Sequence, residues 1–223
     1  MNVKLISYST ASPEFLEEVS GATVQDLVAY CARVSNPSNQ TNKETAEKLL
    51  RYLIKHKHWS PLEMVSVCME IETTRDIARQ ILRHRSFSFQ EFSQRYADPT
   101  KELKFETKEA RLQDPKNRQN SVREGVDLML SKKWNDMQHD IIEQCNTAYK
   151  WAIDNGIAKE QARAVLPEGL TMSRMYMNGT LRSWIHYIEL RSANGTQKEH
   201  MDIALACAKV ISSIFPTETL VSK

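Results

Sequence analysis

The chain has 223 residues, and its 30 Lys and Arg against 28 Asp and Glu leave a formal net charge of +2, so no global field recruits nucleic acid or a membrane surface. Hydrophobic residues at 41% and charged residues at 26% give an ordinary soluble balance, and the expectation is a single domain over residues 1–223. Cys31, Cys68, Cys145 and Cys207 stand apart with no C-x-x-C or other short ligand spacing, which argues against a zinc site and a disulfide scaffold, and no metal is expected.

The opening MNVKLISYST has neither the apolar core of a signal peptide nor the Arg-rich pattern of a transit peptide, and no apolar run approaches the roughly 18 residues of a membrane helix. A cytoplasmic location is therefore expected. Val3 to Ser7 alternate weakly and read as a first strand. Thr41-Asn-Lys-Glu44 is a capping-box pattern ahead of Ala46, Leu49, Leu50, Leu53 and Ile54, so a helix is expected from about Lys43 to Lys57. After a turn at Trp59-Ser60-Pro61, Val65, Val67, Met69 and Ile71 alternate with polar residues, the period of a strand with one buried face. Thr73 or Thr74 can cap a following helix with Ile77, Ala78, Ile81 and Leu82 as its stripe, running into Arg83-His84-Arg85.

Residues 97–123 are polar, contain Pro99 and Pro115, and read as an exposed excursion with room for a short helical piece. A long helix follows, with Val126, Leu130, Trp134, Met137, Ile141, Cys145, Ala148 and Ala152 in register and Asn155-Gly156 as its stop; Met129, Trp134 and Met137 are assigned to the core. Lys159 to Leu166 is a short piece halted by Pro167, and Leu170 to Met177 a strand. Leu181, Trp184, Ile185 and Ile188 mark another helix, and Gln197 to Phe215 a last one ended by Pro216. Helices dominate and the strands do not alternate strictly with them, so the fold class is α+β, helix-rich with a small, mostly antiparallel sheet.

Chemistry concentrates between Arg75 and Arg95, where five arginines and one histidine meet only Asp76 and Glu91. A helix continued through this stretch puts Gln80, Arg83 and His84 on one face. Guanidinium forks with serine hydroxyls suit a multiply charged anion. A solvated basic face would explain an arbitrary Arg-rich segment, but Glu91, Ser93 and Arg95 are ordered so that an extended segment turns them one way, with Phe92 and Gln94 opposite.

Arg83-His84-Arg85, seven residues, then Ser93, continued by Arg95 and Tyr96 and with Ser88 between, resembles the signature of the flavin-dependent thymidylate synthases. It departs at Gln90, where that pattern commonly has Asn. Ala32-Arg33-Val34-Ser35, His58-Trp-Ser60-Pro61-Leu-Glu63, Glu160-Gln-Ala-Arg163-Ala-Val-Leu-Pro167, and Leu181 to Arg191 followed by Gln197-x-Glu199-His200 resemble other blocks of the same family, so the likeness spans nearly the whole chain outside 97–123.

The resemblance implies an enzyme making dTMP from dUMP, with methylenetetrahydrofolate as one-carbon donor, NADPH as reductant and FAD between them. It implies a homotetramer with shared sites and no cysteine nucleophile. Ser60, Arg83, His84, Arg85, Glu91, Thr180, Leu181, Arg182 and His186 would contact FAD, with Thr180 where the family often has Asn. Gln80, Ile81, Leu82, Arg83, Glu91, Phe92, Ser93, Gln94, Arg95, Arg163 and Arg191 would surround dUMP, with Arg191 the catalytic group and His58 near the folate or the flavin. Arg182 and Arg191 are nine residues apart, about half a turn out of phase on one helix, and so should serve different ligands or sites. A nucleic-acid module is disfavoured by the near-neutral charge, and a metal-dependent phosphate hydrolase by the absence of clustered Asp/His ligands.

Overall fold

In the computed structural model, which describes residues 1–215, alternating segments pair into an antiparallel sheet. Its strands are β1 (Asn2–Tyr8), β2 (Ser66–Thr74), β3 (Ser88–Glu91) and, after a separate hairpin of β4 (Leu112–Gln113) and β5 (Ser121–Val122), β6 (Met172–Thr180); the order across the sheet is β1-β2-β6-β3. The helices are α1 (Pro13–Glu18), α2 (Val24–Ala32), α3 (Ala46–Lys55), α4 (Arg75–Ile81), α5 (Pro99–Glu102), α6 (Leu128–Asp154), α7 (Lys159–Ala162), α8 (Leu181–Arg191) and α9 (Lys198–Ile214). The class is α+β, as the sequence leads one to expect.

Period-2 alternation decides which face of the sheet is covered. Val67, Met69 and Ile71 of β2 stand beside Gly179, Met177 and Met175 of β6, and all six are buried. Helices α8 and α9 bury Leu181, Trp184, Ile185, Ile188, Ile203, Ala204, Cys207 and Ile211 in the same core. Each such aliphatic or aromatic side chain contributes about 1.5–3 kcal/mol on leaving water. The one polar atom of Trp184 is satisfied, since its Nε1 donates to the Val67 carbonyl at 3.0 Å.

Several boundaries differ from the sequence expectation. The capping box at Thr41–Glu44 does not form: α3 starts at Ala46 with no side-chain cap, because Arg33 takes the Asn42 carbonyl and the Thr45 hydroxyl and ties this stretch into a turn. Thr74 is the N-cap of α4 without a side-chain cap bond; its hydroxyl donates to Asp76 and accepts from Lys108 Nζ. Helix α4 ends at Ile81, and the chain turns back through His84 N–H to the Ile81 carbonyl at 3.0 Å. Arg83 and His84 therefore lie beyond the helix and not on a face shared with Gln80. Strand β6 runs on past Met177 to Thr180, whose hydroxyl accepts from the Ser183 N–H and caps α8. Pro216, the expected stop of α9, lies outside the described residues.

The largest departure is α6. Its buried residues are Gln138, Tyr149 and Ala152, whereas Met129 is 84% exposed and Trp134 and Met137 are 41% and 47% exposed. These three are not core in this chain: most side chains of the helix are exposed, and an apolar stripe does not say what covers it. Residues 97–123 do hold a short helical piece, α5, but they are also anchored. Gln138 donates to and accepts from the Lys108 backbone, at 2.9 and 2.8 Å, and Trp134 Nε1 donates to the same carbonyl at 3.0 Å.

Candidate functional site

Strand β2 delivers the chain into α4, and the turn after α4 carries Arg83, His84 and Arg85. What holds that turn is Phe87, whose ring crosses the bare backbone of Gly179 and packs edge-on against Trp184 at 4.8 Å. His84 is thereby placed against the end of α8, where Arg191 Nε donates to His84 Nε2 at 2.9 Å. Accepting that bond requires an unprotonated ring. Burial, then Arg191 and then Arg83, push the imidazole down from 6.5 to about 4, so His84 is neutral at physiological pH. Gln80, at the end of α4, joins the same polar cluster through His200 and Gln197. His200, wholly buried, is held lower still, at about 3, chiefly by burial and then by Arg191. Arg83 and Arg85 are exposed and have no carboxylate partner among the described residues.

A second cluster forms where β3 ends. Glu91 accepts from the Ser173 hydroxyl at 2.8 Å and lies 3.7 Å from Arg75. Past Glu91 the Phe92 N–H still donates to the Arg174 carbonyl at 2.8 Å, and the chain then turns: Tyr96 and Ala97 N–H groups return to the Ser93 carbonyl, and Ser93 Oγ accepts from the Arg95 N–H at 3.4 Å. This turn, where the residue pattern suits an extended segment, buries Gln94 and leaves its Nε2 without a partner among the described residues. Gln94 lines a cavity of about 290 Å³ with Arg75, Arg79, Glu160, Arg163 and Glu168. Arg95 reaches the Glu160 carboxylate at 3.4 Å, and Arg163 donates to the Glu160 carbonyl of its own turn at 3.3 Å, so both arginines contact the same residue. An orphan amide donor among guanidinium groups fits a phosphate or similar anion.

A third cluster lies at the start of α8. Arg182 pairs with Glu63 at the surface, and His186 packs edge-on against Trp59 at 4.4 Å. Ser60 is exposed in the same Trp59–Glu63 turn. Arg182 and Arg191 thus have different partners at opposite ends of one helix. Ile81 and Leu181 are fully buried, which leaves only their backbone for a ligand, while Leu82 and Phe92 are half-buried.

No hydrogen bond or ion pair among the described residues links the Arg191 cluster to the Arg95–Arg163 cluster. Residues that sequence reasoning gave no role are Tyr187, Gln197, Glu199, His200 and Arg111, all in the polar network around Gln80. For Gln197, Glu199 and His200 the signal was their place in a family-like block; Arg111 carried none. The four thiols are all pushed up by burial, so each stays protonated and none is poised as a nucleophile.

The family model described as "Thymidylate synthase complementing protein" matches residues 18–217. The chain is 48% identical over 220 residues to a probable flavin-dependent thymidylate synthase of Paramecium bursaria Chlorella virus 1, covering 97% of this chain and 96% of that one. It is 48% identical over 217 residues to the flavin-dependent thymidylate synthase of Synechocystis sp., with 97% of each covered, and 33% identical over 190 residues to that of Thermus thermophilus, covering 85% and 68%.

Proposed function

We propose, from the premise that this chain belongs to the flavin-dependent thymidylate synthase family, that its three clusters are parts of a site where dUMP is reductively methylated to dTMP. The reaction takes its carbon from methylenetetrahydrofolate and its electrons from NADPH. Bound FAD supplies the redox chemistry.

The observation that carries the site assignment is the Arg191–His84 pair. A neutral imidazole accepts from Arg191 Nε and so aims the rest of the guanidinium without competing for its charge. Arg191 is then a fixed cation for the negative charge that develops on the pyrimidine, electrostatic stabilisation without a covalent bond to the protein. Ser93, Gln94, Arg95 and Arg163 hold the dUMP phosphate: the Gln94 amide supplies an unspent donor, and the phosphate displaces Glu160 from Arg95. Glu91, fixed by Ser173, borders that phosphate and the flavin. Arg83 and Arg85, exposed and without a carboxylate partner among the described residues, suit the FAD diphosphate, with Ser60, Arg182 and His186 along the remainder of the cofactor and the Thr180–Leu181 backbone beside them.

No hydrogen bond or ion pair joins the Arg191 and Arg95–Arg163 clusters among the described residues, and we read the site as one completed between subunits. The exposed apolar stripe of α6 supports a homotetramer, since surface of that kind on a lone chain is an interaction site. One main core, drawing on residues from Val24 to Phe215, supports a single domain. No helix among the described residues is long and apolar enough to cross a membrane, and the cytoplasm is the location we infer. The test is dTMP formation by the Arg191→Ala variant: we expect turnover to be lost with FAD retained, and near-normal turnover would remove Arg191 from the reaction.

A further inference from the structure

The polar segment 97–123 carries no motif, yet Arg111 within it is the far end of a hydrogen-bond chain that reaches Gln80. Arg111 Nη2 donates to Glu199 Oε1, and both side chains are 10% exposed. Glu199 Oε2 accepts from Gln197 Nε2 at 3.0 Å, and Gln197 Oε1 accepts from Gln80 Nε2 at 2.8 Å. Gln80 Oε1 faces His200 Nδ1 at 3.3 Å, and His200 Nε2 faces the Tyr187 hydroxyl at 3.1 Å.

The direction of this chain is set at one point. A carboxylate only accepts, so Glu199 dictates that the Gln197 amide turns its nitrogen toward it. The Gln197 oxygen then faces Gln80 and draws the Gln80 nitrogen. The Gln80 oxygen in turn demands the Nδ1–H form of a neutral His200, whose Nε2 accepts from Tyr187. Two carboxamides that could each flip are thus held in one orientation by one buried charge, and Arg111 supplies the opposite charge that a buried carboxylate needs.

We propose that Arg111 and Glu199 are positioning residues of this enzyme, locking the Gln80 carboxamide through Gln197 so that its donor and acceptor match those of the dUMP pyrimidine. The proposal rests on the reading above in which Gln80 contacts dUMP. A flipped Gln80 would exchange the donor and the acceptor it presents. The polar segment is then a brace for the substrate site, not an appendage.

The experiment is a calorimetric titration of dUMP into the FAD-loaded full-length enzyme, with melting temperature and FAD content measured for every variant. Glu199→Gln, which lets the neighbouring amides flip, weakens dUMP by roughly five- to tenfold with FAD content unchanged. Gln80→Ala weakens it at least as much, and the Gln80→Ala/Glu199→Gln double variant is no weaker than Gln80→Ala alone, because both changes act through one amide. A merely structural Glu199 would give additive losses, and additivity or wild-type affinity in Glu199→Gln overturns the proposal. Should Glu199→Gln fail to load FAD, Arg111→Lys and Arg111→Met carry the same test: the lysine keeps the charge and most of the affinity, the methionine loses it, and equal affinities refute the brace. A wild-type enzyme that does not bind dUMP at all would defeat the site reading itself, an outcome distinct from a wild type that binds while Glu199→Gln matches it.

Discussion

Arg191 and His84 make a pair whose chemistry depends on which partner carries the proton. Because Arg191 is always charged and lies against a ring held at about 4, the imidazole stays an acceptor across the physiological range. The two histidines of this region also set a pH dependence of stability. Well above 6.5 both rings are neutral folded or unfolded and contribute no slope. Below it the unfolded chain binds protons that the folded one refuses until pH nears 4 for His84 and 3 for His200, so stability falls as pH falls, by up to about 1.4 kcal/mol per pH unit for each ring. The melting temperature should therefore drop between pH 7 and pH 5, and less steeply in His200→Gln; equal slopes would refute this origin. At the second cluster, Arg95→Ala should weaken dUMP binding by about 1.5–3 kcal/mol, the range for a hydrogen bond to a charged group. An unchanged dissociation constant would take Arg95 out of the phosphate site.

At the scale of elements, the site depends on short pieces ending where they do. Strands with one buried face and helices with a plain stripe were legible in the sequence: β2 and α8 bury the residues their periodicity marks. Ends were less legible, because they depend on partners distant in sequence. Arg33 cancels a capping box ten residues away, and the turn after Ile81 is fixed by Phe87 lying over Gly179, which no local pattern announces. A methyl group at residue 179 would run into the Phe87 ring. Gly179→Ala should cost about 1–3 kcal/mol, as overpacking does, and should loosen FAD through the displaced Arg83–Arg85 turn. Chemical denaturation and flavin content check this together; unaltered values of both would show that the turn is held by something else. The signature residues were readable because residue type and spacing carry them. The Arg111–Glu199 link was not, since a salt bridge between residues 88 positions apart leaves no mark in a single sequence.

For the whole molecule, α6 is where sequence and single-chain structure part. Period alone identifies an apolar face but not what covers it, and in this chain Leu128, Met129, Trp134, Met137 and Ile141 remain open. In the homotetramer we propose, that face is covered by other copies. Met129→Glu with Met137→Glu should then lower the sedimenting mass while keeping the circular dichroism of the folded chain, and an unchanged mass would place the interface elsewhere. The central claim, that one flavin and one dUMP share a site built from these clusters, is tested most directly by the visible absorption spectrum of the purified protein before and after adding dUMP. The account predicts a yellow protein whose flavin bands shift with dUMP. A colourless protein that also fails to take up added FAD would contradict it.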